Sequence, residues 1–329
     1  MPRKLWSKQE EQFIKDNLMY MSLKEFSDYF DVPSSKIQDK IHKMELSIKR
    51  AQNIFWTESE NKILKDNYSY ASKHYIESIL PNRTWSQIKN HGKWLGLRRI
   101  SQDRYYVNHN FFSEWNEVSA YFIGFIMADG HISYGSNKWL SLQIAKKDLC
   151  ILEKLKKMMQ YEGPIKFYKC RKSKIGNHIA KGSESCELRI NNAKIVLDLI
   201  DKGVPAKDKT FSADFPKNMP KNMIRHFIRG LIDGDGSILI RNYKNRKNKG
   251  LSIEIYGTKK IVRGVRDNVN IDCSDIKLCN RSNDHYWMFQ INGKRAKAIA
   301  DWLYHNSNIY LQRKYDKYKE YCDYYNTMN

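Results

Sequence analysis

At 329 residues the chain exceeds what one ordinary core requires, so two or three compact units are expected, none needing a staple. Its 58 Lys and Arg against 36 Asp and Glu leave a formal charge of +22 spread from end to end, which favours a large anionic partner, nucleic acid first. Six cysteines (Cys150, Cys170, Cys186, Cys273, Cys279, Cys322) form no Cys-x-x-Cys pair, and the start MPRKLWSKQEEQ has no apolar signal core. With no membrane-length apolar run, lipidation signal or basic amphipathic helix either, a zinc ribbon, a disulfide framework and a membrane protein are disfavoured, and a soluble intracellular chain is expected.

The first hundred residues repeat. Trp6, Lys15, Asp16, Asn17 and Tyr20 recur fifty positions later as Trp56, Lys65, Asp66, Asn67 and Tyr70. Ser7 and Thr57 sit at N-cap places, each with a glutamate three residues on (Glu10, Glu60), so each unit opens with an amphipathic helix. After turns near Pro33 and Pro81, SSKIQDKIHKMEL and TWSQIKNHGKWLGL read as last helices. Ile37, Ile41 and Met44, or Ile88 and Leu95, turn inward. Lys36, Gln38, Lys40 and Lys43, or Gln87, Lys89, Asn90 and Lys93, face out. Three short helices with a leading Trp and a basic last helix resemble Myb/SANT-type helix-turn-helix repeats over residues 4–48 and 54–98. The resemblance implies that the last helices enter a DNA groove. Residues 101–116 lack periodicity and read as a linker; Arg98 and Arg99 just before it and Arg104 within it are placed to follow a phosphate backbone.

Two nonapeptides then match one another: Phe122-Ile-Gly-Phe-Ile-Met-Ala-Asp-Gly130 and Ile228-Arg-Gly-Leu-Ile-Asp-Gly-Asp-Gly236. Gly124 and Ala128, like Gly230 and Gly234, lie four residues apart and leave one helix face almost bare, so two such helices can approach closely. Large neighbours (Phe122, Phe125, Ile126; Ile228, Leu231, Ile232) are expected to point into separate cores, and Gly130 and Gly236 to take a left-handed turn. Asp129 and Asp235 would then emerge side by side. Two carboxylates at helix C-termini oppose the macrodipole and repel each other, which calls for a divalent cation with hard oxygen ligands: Mg²⁺, or another such as Mn²⁺.

Both nonapeptides resemble the LAGLIDADG motif, and the chain resembles double-motif, single-chain homing endonucleases of that family. The segments after the two motifs match as well: HIS, WLSLQIAKK, IKFYKCR and CELRI are period-two strands, with helices at 148–160 and 192–202. SILIR, LSIEIY, DIKLCNR and YWMFQI answer them, with helices near 258–268 and 294–306. The expected fold class is α+β: two pseudo-symmetric αββαββα subdomains forming a DNA-binding saddle, after two small all-α units. The divisions are residues 1–50 and 51–100 (helical repeats), 101–116 (linker), 117–220 and 221–329 (LAGLIDADG subdomains).

Candidates on the strand face that reads DNA are Lys138, Gln143, Arg171, Lys172, Arg189, Arg241, Lys244, Arg246, Lys247, Arg281 and Gln290. The family resemblance implies metal-binding and catalytic roles for Asp129 and Asp235, and a basic residue near the end of the second strand, where Lys147 falls. The matching place in the second half is Thr258 beside Lys259; Lys209 and Lys314 are further candidates. It also implies metal-dependent hydrolysis of both strands of a long duplex site, a monomer, mobility of its own intron or gene, and a bacterial, phage-infected or organellar setting. Two other readings stay open: an RNA maturase on intron RNA, and a DNA-binding regulator with an inactive nuclease domain.

Overall fold

Caps and patterning act where the sequence places them. Ser7 accepts from the Glu10 amide at 3.2 Å while the Glu10 carboxylate accepts from the Ser7 amide at 2.8 Å, which opens α1 (Lys8–Asn17). Thr57 and Glu60 do the same for α4 (Glu58–Asn67). The first repeat continues as α2 (Leu23–Phe30) and α3 (Ser34–Lys43), the second as α5 (Lys73–Ile79) and α6 (Trp85–Trp94). The computed structural model describes residues 4–18, 21, 23–46, 56–100, 104–170, 172–175, 178–181, 183–242, 249–282 and 286–328.

The chain divides into two compact units, Met1–Ile63 and Leu64–Asn329. In the first, Ile14, Phe26, Ile37 and Ile41 form a small core walled by Trp6, Phe13 and Phe30. The second unit begins within the second repeat. Leu64, Tyr68, Ile76 and Ile88 are buried there, Tyr75 stacks on Tyr106 at 4.3 Å, and Asn192 donates to the Tyr70 carbonyl at 3.1 Å.

The described part of segment 101–116, expected as a linker, is packed: Val107 and Phe112 join the main core and the Asn108 amide donates to the Met159 carbonyl at 2.8 Å. Its aromatic residues, not its irregular pattern, decide its place.

Helix α7 (Glu117–Asp129) leads into β1 (Gly130–Tyr134), β2 (Lys138–Ala145), α8 (Leu149–Met158), β3 (Ile165–Tyr168), a hairpin of β4 (Lys172–Ile175) and β5 (His178–Lys181), β6 (Ser185–Ile190) and α9 (Ala193–Asp201). After the short α10 (Lys209–Ser212) the plan recurs: α11 (Ile224–Asp235), β7 (Ser237–Arg241), β8 (Gly250–Gly257), α12 (Lys259–Asn268), β9 (Cys279–Ser282), β10 (Tyr286–Asn292) and α13 (Gly293–Tyr304). Each half is a four-stranded antiparallel sheet, ordered β1-β2-β6-β3 and β7-β8-β10-β9. Helix α14 (Gln312–Met328) and the β4–β5 hairpin are additions that sequence pattern does not anticipate. The two halves share one continuous core instead of the two expected, because Phe122, Phe125, Ile228 and Leu231 all join a single cluster through the helix pair.

His226 on α11 is 1% exposed, with Arg225 at 3.1 Å and Arg229 at 3.0 Å from its ring nitrogens. Burial first, then these cations, push its pKa from 6.5 down to about 3. The folded chain therefore refuses a proton that the unfolded chain takes. Stability contributed here is full above the ordinary value and is lost as pH falls toward the folded one, at about 1.4 kcal/mol per unit. His226→Gln is expected to lose about 2 to 3 kcal/mol less than wild type between pH 7 and pH 4.5 in urea titrations. Parallel losses would remove His226 from the account.

Candidate active site

The two motif helices meet through bare backbone. A Cβ on Gly124 would lie inside contact distance of the Phe227 carbonyl, and one on Gly230 inside that of the Tyr121 carbonyl and 2.9 Å from the Phe125 amide. One on Gly234 would overlap the Ala128 methyl. Gly124, Ala128, Gly230 and Gly234 thus form the seam, as the four-residue spacing requires.

The closing glycines differ from expectation. Gly130 (φ −79°) and Gly236 (φ −97°) are extended, because each helix passes straight into its strand. They are small for another reason: a Cβ would fall 2.6 Å from the Ile126 carbonyl or 2.7 Å from the Ile232 Cα.

Asp129 and Asp235 end their helices open to solvent. Desolvation and then Asp235 push the Asp129 carboxyl up to about 6; desolvation raises Asp235 against the pull of Lys209 and Lys314. Those lysines occupy matched places. Lys209 donates to the carbonyls of Ile126, Ala128 and Gly130. Lys314 donates to those of Ile232 (2.6 Å), Asp233 (2.8 Å), Gly234 (3.4 Å) and Gly236 (2.7 Å). Each ammonium therefore caps the negative end of a motif helix and sits by the acids, reducing the cost of ending both helices in carboxylates. Burial lowers the pKa of both, Lys314 to about 8.

Lys147 caps neither motif helix. It is exposed on a single 3₁₀ turn, Lys146–Asp148, and forms no hydrogen bond or ion pair among the described residues. It lines a cleft of about 490 Å³ with Asp129, Gln143, Asp148, Asp233 and Arg313. Thr258, its counterpart by spacing, caps α12 and donates to the Ala213 carbonyl at 2.6 Å.

Candidate DNA-facing residues separate into free and engaged ones. Lys36, Gln38 and Lys43 are exposed on α3, and Lys89, Asn90 and Lys93 on α6, with Arg98 after it. Lys40 is paired with Glu11. Gln87 accepts from the Thr84 amide at 2.8 Å in a capping box, and Arg99 donates to the Tyr68 carbonyl while lying 5.6 Å from the rings of Tyr68 and Trp85. Both are employed within the protein, a use that facing direction alone does not reveal.

On the first sheet, Ser141 pairs with Arg189 and Gln143 with Glu187 across strands. Arg189 stacks 4.0 Å above Trp139, Gln143 donates to Ser185 at 3.0 Å, and Lys138 lies 4.9 Å from the Tyr134 ring. On the second, Arg241, Gln290 (3.0 Å) and Tyr256 (2.8 Å) converge on Glu254, while Arg281 rests on Met288. Glu254 and Glu187, which Ser141 and Tyr168 hold, were missed; period two places both on this polar face. Arg171, Lys244, Arg246, Lys247 and the side chain of Lys172 lie outside the described residues.

Among the described residues no three His, Cys, Asp or Glu side chains converge as a metal cluster. Asp129 and Asp235 still suit a hard cation: they offer oxygen only, their charges repel, and solvent-open positions remain for water and phosphate.

No protein-family model and no curated protein matches the chain. In structure it is similar to meganuclease I-SmaMI bound to uncleavable DNA, at 17% identity over 63% of this chain and 90% of that one, TM-score 0.42. It is also similar to the LAGLIDADG homing endonuclease I-LtrWI bound to target DNA, at 13% identity over 67% and 92%, TM-score 0.46. A third likeness is to I-SmaMI bound to an uncleaved DNA target in the presence of calcium ions, at 16% identity over 64% and 90%, TM-score 0.41.

Proposed function

We propose that this chain is a site-specific, divalent-metal-dependent DNA endonuclease of the LAGLIDADG homing type, hydrolysing both strands of a long duplex. One observation carries the reading: two carboxylates leave the ends of a glycine-packed helix pair whose C-termini are each capped by a lysine, half-buried Lys209 and buried Lys314. The polar strand faces and the charge of +22 support a DNA duplex as the substrate.

Asp129 and Asp235 hold the cation. Mg²⁺ or Mn²⁺, when bound, supplies an activated water and stabilises charge on the phosphodiester oxygens. Lys209 and Lys314 keep the helix ends from adding negative potential where the phosphates arrive. Lys147, exposed and unpaired among the described residues, lines the cleft with Asp129, and its proposed role is to assist the nucleophile or the charge developing on a phosphate. Because one chain carries both halves, a monomer suffices and the target need not be palindromic. The biological role is mobility of its own intron or gene by cutting an allele that lacks it.

Incubation of the purified chain with Mg²⁺ and a duplex pool that includes its own gene's empty insertion site should yield one discrete pair of ends. Tight DNA binding without cutting would instead establish a regulator, and binding confined to intron RNA a maturase.

The N-terminal repeats are proposed to clamp flanking DNA. In the full chain, Lys36→Ala with Lys43→Ala is expected to flatten the slope of log K against log salt by about 2, since each phosphate contact contributes roughly 0.9. An unchanged slope would assign that helix to another partner.

A further inference from the structure

The motif helices are not equivalent where they are buried. Helix α11 carries Arg229 and Asp233 where α7 has Ile123 and Met127, and α7 carries Tyr121 where α11 has Phe227. All three polar residues are at most 2% exposed. Buried polar groups cost stability unless they are bonded, so their bonds define their work.

Those bonds converge on residues 309–314, the segment that delivers Lys314. Arg229 donates to the Ile309 carbonyl at 2.8 Å. The Leu311 amide donates to Asp233 Oδ2 at 2.7 Å, and the Tyr121 hydroxyl donates to the same oxygen at 2.8 Å. Arg313 donates to Asp148 of the first half at 3.0 Å. Lys314 then closes the segment on the α11 carbonyls. In the first half Lys209 reaches the matched α7 carbonyls, but the position equivalent to Asp233 is Met127, whose side chain offers no comparable acceptor for the matched Ala206 amide.

We propose that Asp233 is a positioning residue: by gripping the Leu311 amide from inside the helix seam it sets Lys314 on the α11 terminus, so the two DNA strands are served by unequally braced lysines. The proposal rests on the nuclease reading above. Asp233 is 1% exposed, with Oδ2 already occupied by the Leu311 amide and the Tyr121 hydroxyl, so it acts through the segment it holds. A lysine placed by a chain of short bonds keeps its charge where the reaction needs it, while one freed to wander loses much of that effect within an ångström. Met127 makes the first half the natural comparison, since it is the residue that leaves its lysine segment without this grip.

The test uses the full chain, a supercoiled plasmid bearing its target, and strand-labelled duplexes, with Asp233→Asn, which conserves volume, and Asp233→Met, which copies the first half. Expected are faster exchange of the Leu311 amide, unchanged DNA affinity, and slowing of one strand by about tenfold with the other within about twofold, so that nicked circles accumulate. Met should exceed Asn in each respect; if the Met variant does not fold, the Asn variant decides alone. Equal slowing of both strands, no slowing, or an unaltered Leu311 exchange rate overturns the proposal while the nuclease reading stands. A wild-type chain that cuts no duplex sinks that reading and takes this proposal with it.

Discussion

Asp129→Asn or Asp235→Asn is expected to lower double-strand cleavage by about a thousandfold or more, while specific DNA binding stays within about threefold of wild type. The carboxylates are proposed as cation ligands and not as base readers, so binding and chemistry should separate. Near-normal cutting by either variant refutes the assignment.

The same substitution has a thermodynamic signature that needs no substrate. Folding holds Asp129 at about 6, above its ordinary 3.8, so the folded chain disfavours the ionised form. That penalty is full above the folded value and absent below the ordinary one. Without metal, Asp129→Asn should therefore be more stable than wild type at pH 7.5, by about 1 kcal/mol after solvent screening, and no more stable at pH 3.5. Equal stability at both values would mean that neither desolvation nor Asp235 penalises the ionised Asp129 carboxylate.

Gly230→Ala is expected to cost upward of about 4 kcal/mol, a large part of what holds a typical domain together. Its methyl would meet backbone, the Tyr121 carbonyl and the Phe125 amide, neither of which can rotate away. The helices would have to separate, opening the core that spans both halves. Gly135→Ala, where a Cβ meets open space, is the control and should stay within about half a kcal/mol. Urea titrations of both variants check the pair; a Gly230→Ala variant as stable as the control would show that the seam relaxes freely.

How far the site was legible depends on the range of its causes. Gly124, Ala128, Gly230 and Gly234 announce themselves because helix geometry alone puts residues four apart on one face. The strands from Gly130 and Ser237 onward obey period two, which leaves each alternate residue facing the core. Lys209 and Lys314 were legible only as candidates. Their work depends on carbonyls about eighty residues away, which no local pattern encodes.

The internal duplication, the matched motifs, the alternating strands and the excess of positive charge are all written in the sequence, because these are local or periodic and need no partner to exist. Which polar side chains are free is a matter of tertiary structure. Gln87 turns back to cap its helix, Arg99 lies against Tyr68 and Trp85, Arg241 is taken by Glu254, and Lys147 remains open to solvent. So is the closing of the motif helices by Lys209 and Lys314, the packing of residues 104–116 into the core, and the bracing of one lysine from within its motif helix. A single cause runs through these cases. A side chain's direction is set by its own backbone, but its partner is set by whichever distant segment the core brings within bonding distance.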